Sequence, residues 1–165
     1  MAERRPRPFL WSALGKAWNA PNTALGLLYG LTGMLLALLI HGLGRQPAPR
    51  VRWRDNAVQF THNPFGGLGA LTLGNTVTWI GDPYDPDDHT WDAASRREGH
   101  PITDHERQHT YQGELLGPFY LPSNLLGGLN ALLRGEGWHG PHNWNERGPQ
   151  SHPPRPWAPL RRTGR

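Results

Sequence analysis

Residues 105–128, HERQHTYQGELLGPFYLPSNLLGG, hold the pattern on which the rest of the chain is read. The first five are His-Glu-x-x-His. On a helix, His105 and His109 lie four apart and project from one face, a spacing that lets two imidazole nitrogens meet one zinc ion. Glu106 projects beside them, where its carboxylate can serve as general base toward a water activated by that ion. With nine His and six Glu among 165 residues, chance placement gives ~0.02 such matches, so composition explains the motif poorly. The local signals predict a helix from Thr103 to about Leu116. Thr103 offers an N-cap with Pro101 just outside, and Gly117-Pro118 supplies the stop. One face would carry His105, His109, Gln112 and Leu116, an odd stripe for a core helix; a metal would satisfy two of its members. A rival reading attaches to Glu106, because Thr103-x-x-Glu106 also matches a capping box, in which the glutamate closes the first turn and does no chemistry.

A catalytic zinc needs a third protein ligand and an open position. The candidates lie in GWHGPHNWNERGPQSHPP, residues 137–154. Glu146 is preferred, since a carboxylate leaves the site near neutral when a water ionises. His142 is the alternative, with His139 behind it. His142 and Glu146 are four apart and could share a helical turn, although Pro141 and Gly148 allow only a short one. Stabilisation of a developing oxyanion, or support of the ligands, could fall to Gln112, Tyr111, Tyr120, His139 or Arg147, and the sequence does not choose among them.

HERQH followed by a Glu in an Asn-Glu pair resembles the zincin metallopeptidases in their gluzincin form, with two His and one Glu on zinc. The longer run, HExxHxxQ followed by LGP, resembles a group of small bacterial membrane proteins that also carry a strand like ALTLGN before the motif. The resemblance covers roughly residues 64–157. It implies a metallopeptidase-like fold, Zn2+ as cofactor, a peptide or protein substrate, an inner-membrane location and edge pairing of extended substrate along the 69–80 strand region. The chain departs from the gluzincin pattern after Glu146, where Gly148-Pro149 leaves little room for a ligand helix.

Upstream, Thr23 to Ile40 runs 18 residues without a charge. As a helix it would span ~27 Å, close to the ~30 Å of a bilayer's hydrocarbon. Trp11, Trp18 and Trp53 on its flanks suit an interfacial belt. Gly26-x-x-x-Gly30 is the spacing that brings two membrane helices together, which would make a homo-oligomer. A buried helix of a soluble domain and a signal peptide are the competing readings. Orientation is undetermined, because Arg4, Arg5, Arg7 and Lys16 precede the run and Arg45, Arg50, Arg52 and Arg54 follow it; a single pass and a re-entrant insertion both remain. A second uncharged stretch, Leu115 to Leu133, is interrupted by Pro118 and Pro122. It reads either as a segment dipping into the interface or as a short core helix from about Ser123, capped by that serine.

Between these stretches the period changes to two. VRWR and AVQF flank Asp55-Asn56, which predicts a hairpin, and ALTL and TVTW flank Gly74-Asn75, which reads as a second hairpin turn or a bulge in a small antiparallel region. Asn56 to Gly81 carries no charge, which argues that these strands are buried. The acidic loop GDPYDPDDHTWD is read as a solvated turn in preference to a calcium site, because the EF-hand spacing is absent. The expected class is therefore α+β: a basic aromatic segment (1–22), a membrane helix (23–41), a metallopeptidase-like domain (50–150) and a Pro/Arg-rich tail (151–165). The absence of Cys excludes disulfide scaffolds, thiolate metal sites and a thiol nucleophile. No basic–aromatic groove pattern points to nucleic acid, so the expected partners are substrate and membrane lipid. A membrane-anchored assembly protein with a structural metal, or none, is the alternative.

Overall fold

The switch from helical to two-residue periodicity after residue 50 is where a four-stranded sheet begins. The structure, a computed structural model, describes residues 9–66 and 69–160. Arg4, Arg5, Arg7 and the arginines beyond 160 lie outside the described residues, as do the side chains of Phe9 and Trp11. Two helices come first, α1 (Phe9–Trp18) and α2 (Ala20–Gly42). The strands follow as β1 (Arg50–Arg54), β2 (Ala57–Thr61), β3 (Ala70–Leu73) and β4 (Thr76–Trp79). Three helices close the fold: α3 (Asp92–Glu98), α4 (Ile102–Leu116) and α5 (Tyr120–Leu132). The class is α+β.

Both hairpins form. Asp55 and Asn56 take φ of 49° and 70°, the left-handed pair that a tight two-residue turn demands, and Gly74 supplies a φ of 64° at the second turn. The sheet they make is mixed, however, and not purely antiparallel. Its order is β1-β2-β4-β3, and β2 runs parallel to β4, with Val58 opposite Thr76 and Phe60 opposite Thr78. The connection after β2 carries the chain to the far edge, so β4 returns along the interior. TVTW is buried at all four positions and takes the centre, while ALTL is left as the edge.

Strand alternation sorts the side chains onto two faces. Ala57, Gln59, Thr72, Val77 and Trp79 face α4. There Trp79, Val77 and Ala57 pack with Trp91 and Ile102, and the Trp79 indole donates to the Gln59 amide oxygen at 2.6 Å. Phe60, Thr76 and Leu73 face α2, which lies on the sheet through Gly26, Gly30, Gly33 and Ala37. A Cβ at Gly26 would overlap Thr76, one at Gly30 the Phe60 ring, and one at Gly33 the Asn63 amide. The Gly26–Gly30 face, expected to meet a second copy, is thus covered by the chain's own sheet. Among the described residues α2 is the one helix long and apolar enough to cross a membrane.

A buried polar hub ties the helices to both turns. Glu114 of α4 accepts from Lys16 of α1 at 2.8 Å, from Asn56 at 2.8 Å and from Asn75 at 3.0 Å. Asn75 also accepts from Asn19 at the start of α2, and Asn22 donates to the Gly117 carbonyl.

Several local expectations are corrected. Helix α5 begins at Tyr120, so Ser123 is not its cap; Pro122 falls in the first turn, where its missing N–H costs no helical bond. Leu125, Leu126 and Leu129 are exposed, so α5 is not a buried core helix. In the acidic loop Asp82 is fully buried and takes the Arg52 guanidinium at 2.8 Å, while Asp88 accepts from the Asp82 N–H. The chain past 150 does not part from the domain at once: Arg155 N–H donates to the Gly148 carbonyl, and the Pro156 carbonyl accepts from Gln112.

Gly30→Val should lower the midpoint of thermal unfolding, by ~2 kcal/mol or more of overpacking. Leu28→Val on the exposed side of the same helix should leave it nearly unchanged. Equal midpoints for the two variants would mean that α2 does not rest on the sheet.

Candidate metal centre

Helix α4 has Pro101 as its N-cap residue and no side-chain cap, so the Thr103–Glu106 capping box does not form. Glu106 turns instead toward β3, where its Oε2 accepts from the Thr72 hydroxyl at 2.6 Å. The first N–H of α4, that of Ile102, is met instead by the Ser95 hydroxyl of α3, and the Glu106 carboxylate is held beside the two histidines. His105 and His109 are both buried, with their Nε2 atoms 3.1 Å apart.

Glu146 reaches the same point from a run of turns after α5. Its Oε2 lies 3.3 Å from His105 Nε2 and its Oε1 3.6 Å from His109 Nε2. One ligand atom from each of the three residues falls within 4.8 Å of the others. No ligand helix carries Glu146. Asn143 accepts from the Asn145 N–H, and Gly127 of α5 lets the Asn143 amide sit where a Cβ would otherwise stand. Gln112 then joins the two halves of the site: its Nε2 donates to the Asn145 carbonyl at 2.7 Å, and its Oε1 lies 2.9 Å from His109 Nδ1.

The histidines are held in one tautomer. His105 Nδ1 sits 2.9 Å from the Glu98 carboxylate, as His109 Nδ1 does from the Gln112 oxygen, and each acceptor requires the proton on Nδ1. Both Nε2 lone pairs therefore point at a carboxylate and at each other. Glu146 Oε2 is buried and faces the His105 Nε2 at 3.3 Å without hydrogen-bond geometry to it. Two lone pairs and an anion converging in a dry site need a cation between them, a proton or a metal. Two imidazoles and one carboxylate are a borderline-soft donor set that suits Zn2+.

In the metal-free protein, protons take that place. Burial alone would lower the His105 imidazole, but the Glu146 and Glu98 carboxylates, with Glu106, outweigh it and push the group up to about 10. His109 is raised too: burial opposes this, and Glu146 prevails. Burial would raise Glu146, but His109 and His105 hold it well below the usual carboxylate range. The Tyr120 phenol is pushed up by burial and then by the Glu146 and Glu106 charges.

The remaining candidates separate clearly. His142 Nδ1 pairs with Glu136, outside the group, so the alternative third ligand is not brought to the two histidines. Tyr120 is buried with its ring 6.5 Å from that of His109. His139 is exposed on the rim of a cleft of about 650 Å³ that His105, Glu106, Ala70 and Gln150 also line. Arg147, next to Glu146, keeps a buried Nε without a hydrogen-bond partner. Tyr111, two residues past His109, projects from another side of α4. The sequence reading missed Glu98 and Thr72. Glu98 sits on a separate helix that ends at Gly99, with φ of 74°, and no spacing rule links it to His105. No known protein family, curated protein or solved structure matches this chain.

A metal ion entering this group at pH 7 would have to displace the proton on His105, since that group is raised from 6.5 to about 10. Calorimetric titration in buffers of different ionisation enthalpy should report about one or more protons released per zinc, with affinity rising toward alkaline pH. The same proton stabilises the metal-free fold fully below pH 6.5, and that contribution is lost as pH rises through about 10. Proton-neutral binding would contradict this account of the site.

Proposed function

We propose that this chain is a membrane-associated, zinc-dependent hydrolase of peptide bonds. The observation that carries the reading is the convergence of His105, His109 and Glu146 on one buried point, with Glu106 beside it and a cleft opening onto both. The group comprises three donors, the number that leaves a coordination position for chemistry; a structural zinc is closed by four.

A zinc ion held by these three residues would supply positive charge that acidifies a water and polarises a carbonyl. The chain's own groups do the rest. Thr72 holds one oxygen of Glu106, leaving the carboxylate to take a proton from a water in the cleft as the water oxygen bonds to the peptide carbonyl carbon, and to hand that proton to the leaving amine as the C–N bond breaks. Glu98 and Gln112 fix the two imidazoles so that their Nε2 atoms stay aimed inward. Tyr120 stays neutral and packs behind His109. The edge position of β3, with Ala70 on the cleft, supports an extended peptide as the substrate form. Membrane association is supported by α2, whose most apolar 18 residues have a mean hydropathy of 2.0 and are only 22% buried.

Glu106→Gln should retain zinc while cutting hydrolysis of a quenched-fluorescent peptide library by ~100-fold or more. Unchanged hydrolysis in that variant would remove Glu106 from the mechanism, and loss of zinc would make it a ligand.

A further inference from the structure

Helix α2 has the length of a membrane span, yet the sheet rests along its middle. Gly26 meets Thr76, Gly30 meets Phe60 and Gly33 meets Asn63, so contact runs through the centre of the apolar stretch. The ladder then sets what else lies at that level. Phe60 is opposite Val51, Gln59 opposite Arg52, and Val58 opposite both Trp53 and Thr76. Residues 51–53 of β1 are therefore level with Gly26–Gly30. If α2 stood upright in a bilayer, Arg52 and its neighbours Arg50 and Arg54 would lie near the middle of the hydrocarbon, each at a steep cost.

The same alternation offers another placement. Val51 and Trp53 point to the face of the sheet that carries α2, and they are 49% and 62% exposed. The arginines point to the opposite face, where Arg52 pairs with Asp82 and Arg54 stacks on Tyr84. On the outer side of α2 the leucines at 25, 28, 31, 35 and 39 are all more than half exposed, so the apolar stripe runs the whole helix. One side of the molecule is thus apolar from α2 to the edge of β1, and the charges of β1 are on the other. Outside β1 and the Lys16–Glu114 pair, residues 1–49 carry Arg4, Arg5, Arg7 and Arg45 against the single acid Glu3, which complements an anionic lipid surface.

We infer that the protein is monotopic: α2 lies in the plane of one leaflet of an anionic bilayer, its leucine face in the acyl chains and the sheet above it, and does not cross. Its two ends are on the same side of the membrane. The charge balance across the apolar run, which gave no orientation for a spanning helix, then needs no resolution. The metal centre, on the α4 face of the sheet, is held on the aqueous side.

The chain has no Cys, so introduced thiols report alone. The ends of α2 are exposed, and nothing lies within 4 Å of a Cβ at Gly42. The full-length Ala20→Cys/Gly42→Cys variant is reconstituted into sealed phosphatidylcholine–phosphatidylglycerol vesicles and treated with a membrane-impermeant maleimide mass tag. In-plane binding predicts molecules with two tags or none, whichever way each inserts. Molecules with one tag would establish a crossing helix and overturn the inference. In parallel, a bimane on Leu28→Cys and on Leu39→Cys should be quenched equally by shallow brominated lipid. Absence of quenching at both positions would show that protein, a second copy included, covers this face, and would also overturn it. The inference deepens the membrane association proposed above, and the two fail separately, since a chain that does not float with the vesicles sinks the association itself. Neither readout depends on zinc or on hydrolysis.

Discussion

Close contact between α2 and the sheet is the constraint on which the other features depend. It exists because positions 26, 30 and 33 are glycine, which lets the helix backbone touch Thr76, Phe60 and Asn63. Contact at that distance fixes β2 and β4 as neighbours under one helix, and β4 in turn places β3 at the edge. Thr72 of β3 reaches Glu106 from there. The hydrophobic core is small, and much of the interior is polar: Asn19, Asn75, Gln59, Gln108 and Gln112 are all buried. Such an interior depends on pairing of its donors and acceptors: the Glu114 hub takes Asn75 and through it Asn19, Gln59 bonds the Trp79 indole, and Gln112 bonds the Asn145 carbonyl.

At the centre the unpaired groups converge on one point. A carboxylate and two imidazoles have been taken out of water, a costly step that only a shared cation offsets. With protons there, the three groups form a tight ion pair; with a divalent metal, the same geometry becomes a ligand set. The supports of the histidines are compatible with the second state. Glu98 and Gln112 both claim Nδ1, which commits Nε2 to the centre whether or not a metal is bound.

Legibility in the sequence followed distance along the chain. The α4 helix, its histidine pair and its stop at Gly117 were plain because they depend on residues within a few positions of one another. The hairpin at Asp55-Asn56 was plain for the same reason, while Gly74-Asn75 fitted a bulge as well as the turn it makes. The parallel pairing of β2 with β4 was not, since it depends on how the connection after Thr61 routes the chain. Glu98 and Thr72 were invisible because folding alone brings them to His105 and Glu106. Thr103 misled: its spacing to Glu106 fits a cap, but Thr72 offers the carboxylate a buried hydroxyl. The Gly26–Gly30 pair signalled close approach correctly, while its partner, an uncharged sheet with no motif of its own, could not be named from local pattern.

The central claim is that His105, His109 and Glu146 together hold one metal ion. Elemental analysis of the purified full-length protein beside its Glu146→Gln and His142→Gln variants tests it most directly. The account predicts about one zinc per chain, largely lost in Glu146→Gln and retained in His142→Gln. No metal in the parent protein, or loss with His142→Gln but not with Glu146→Gln, would contradict it.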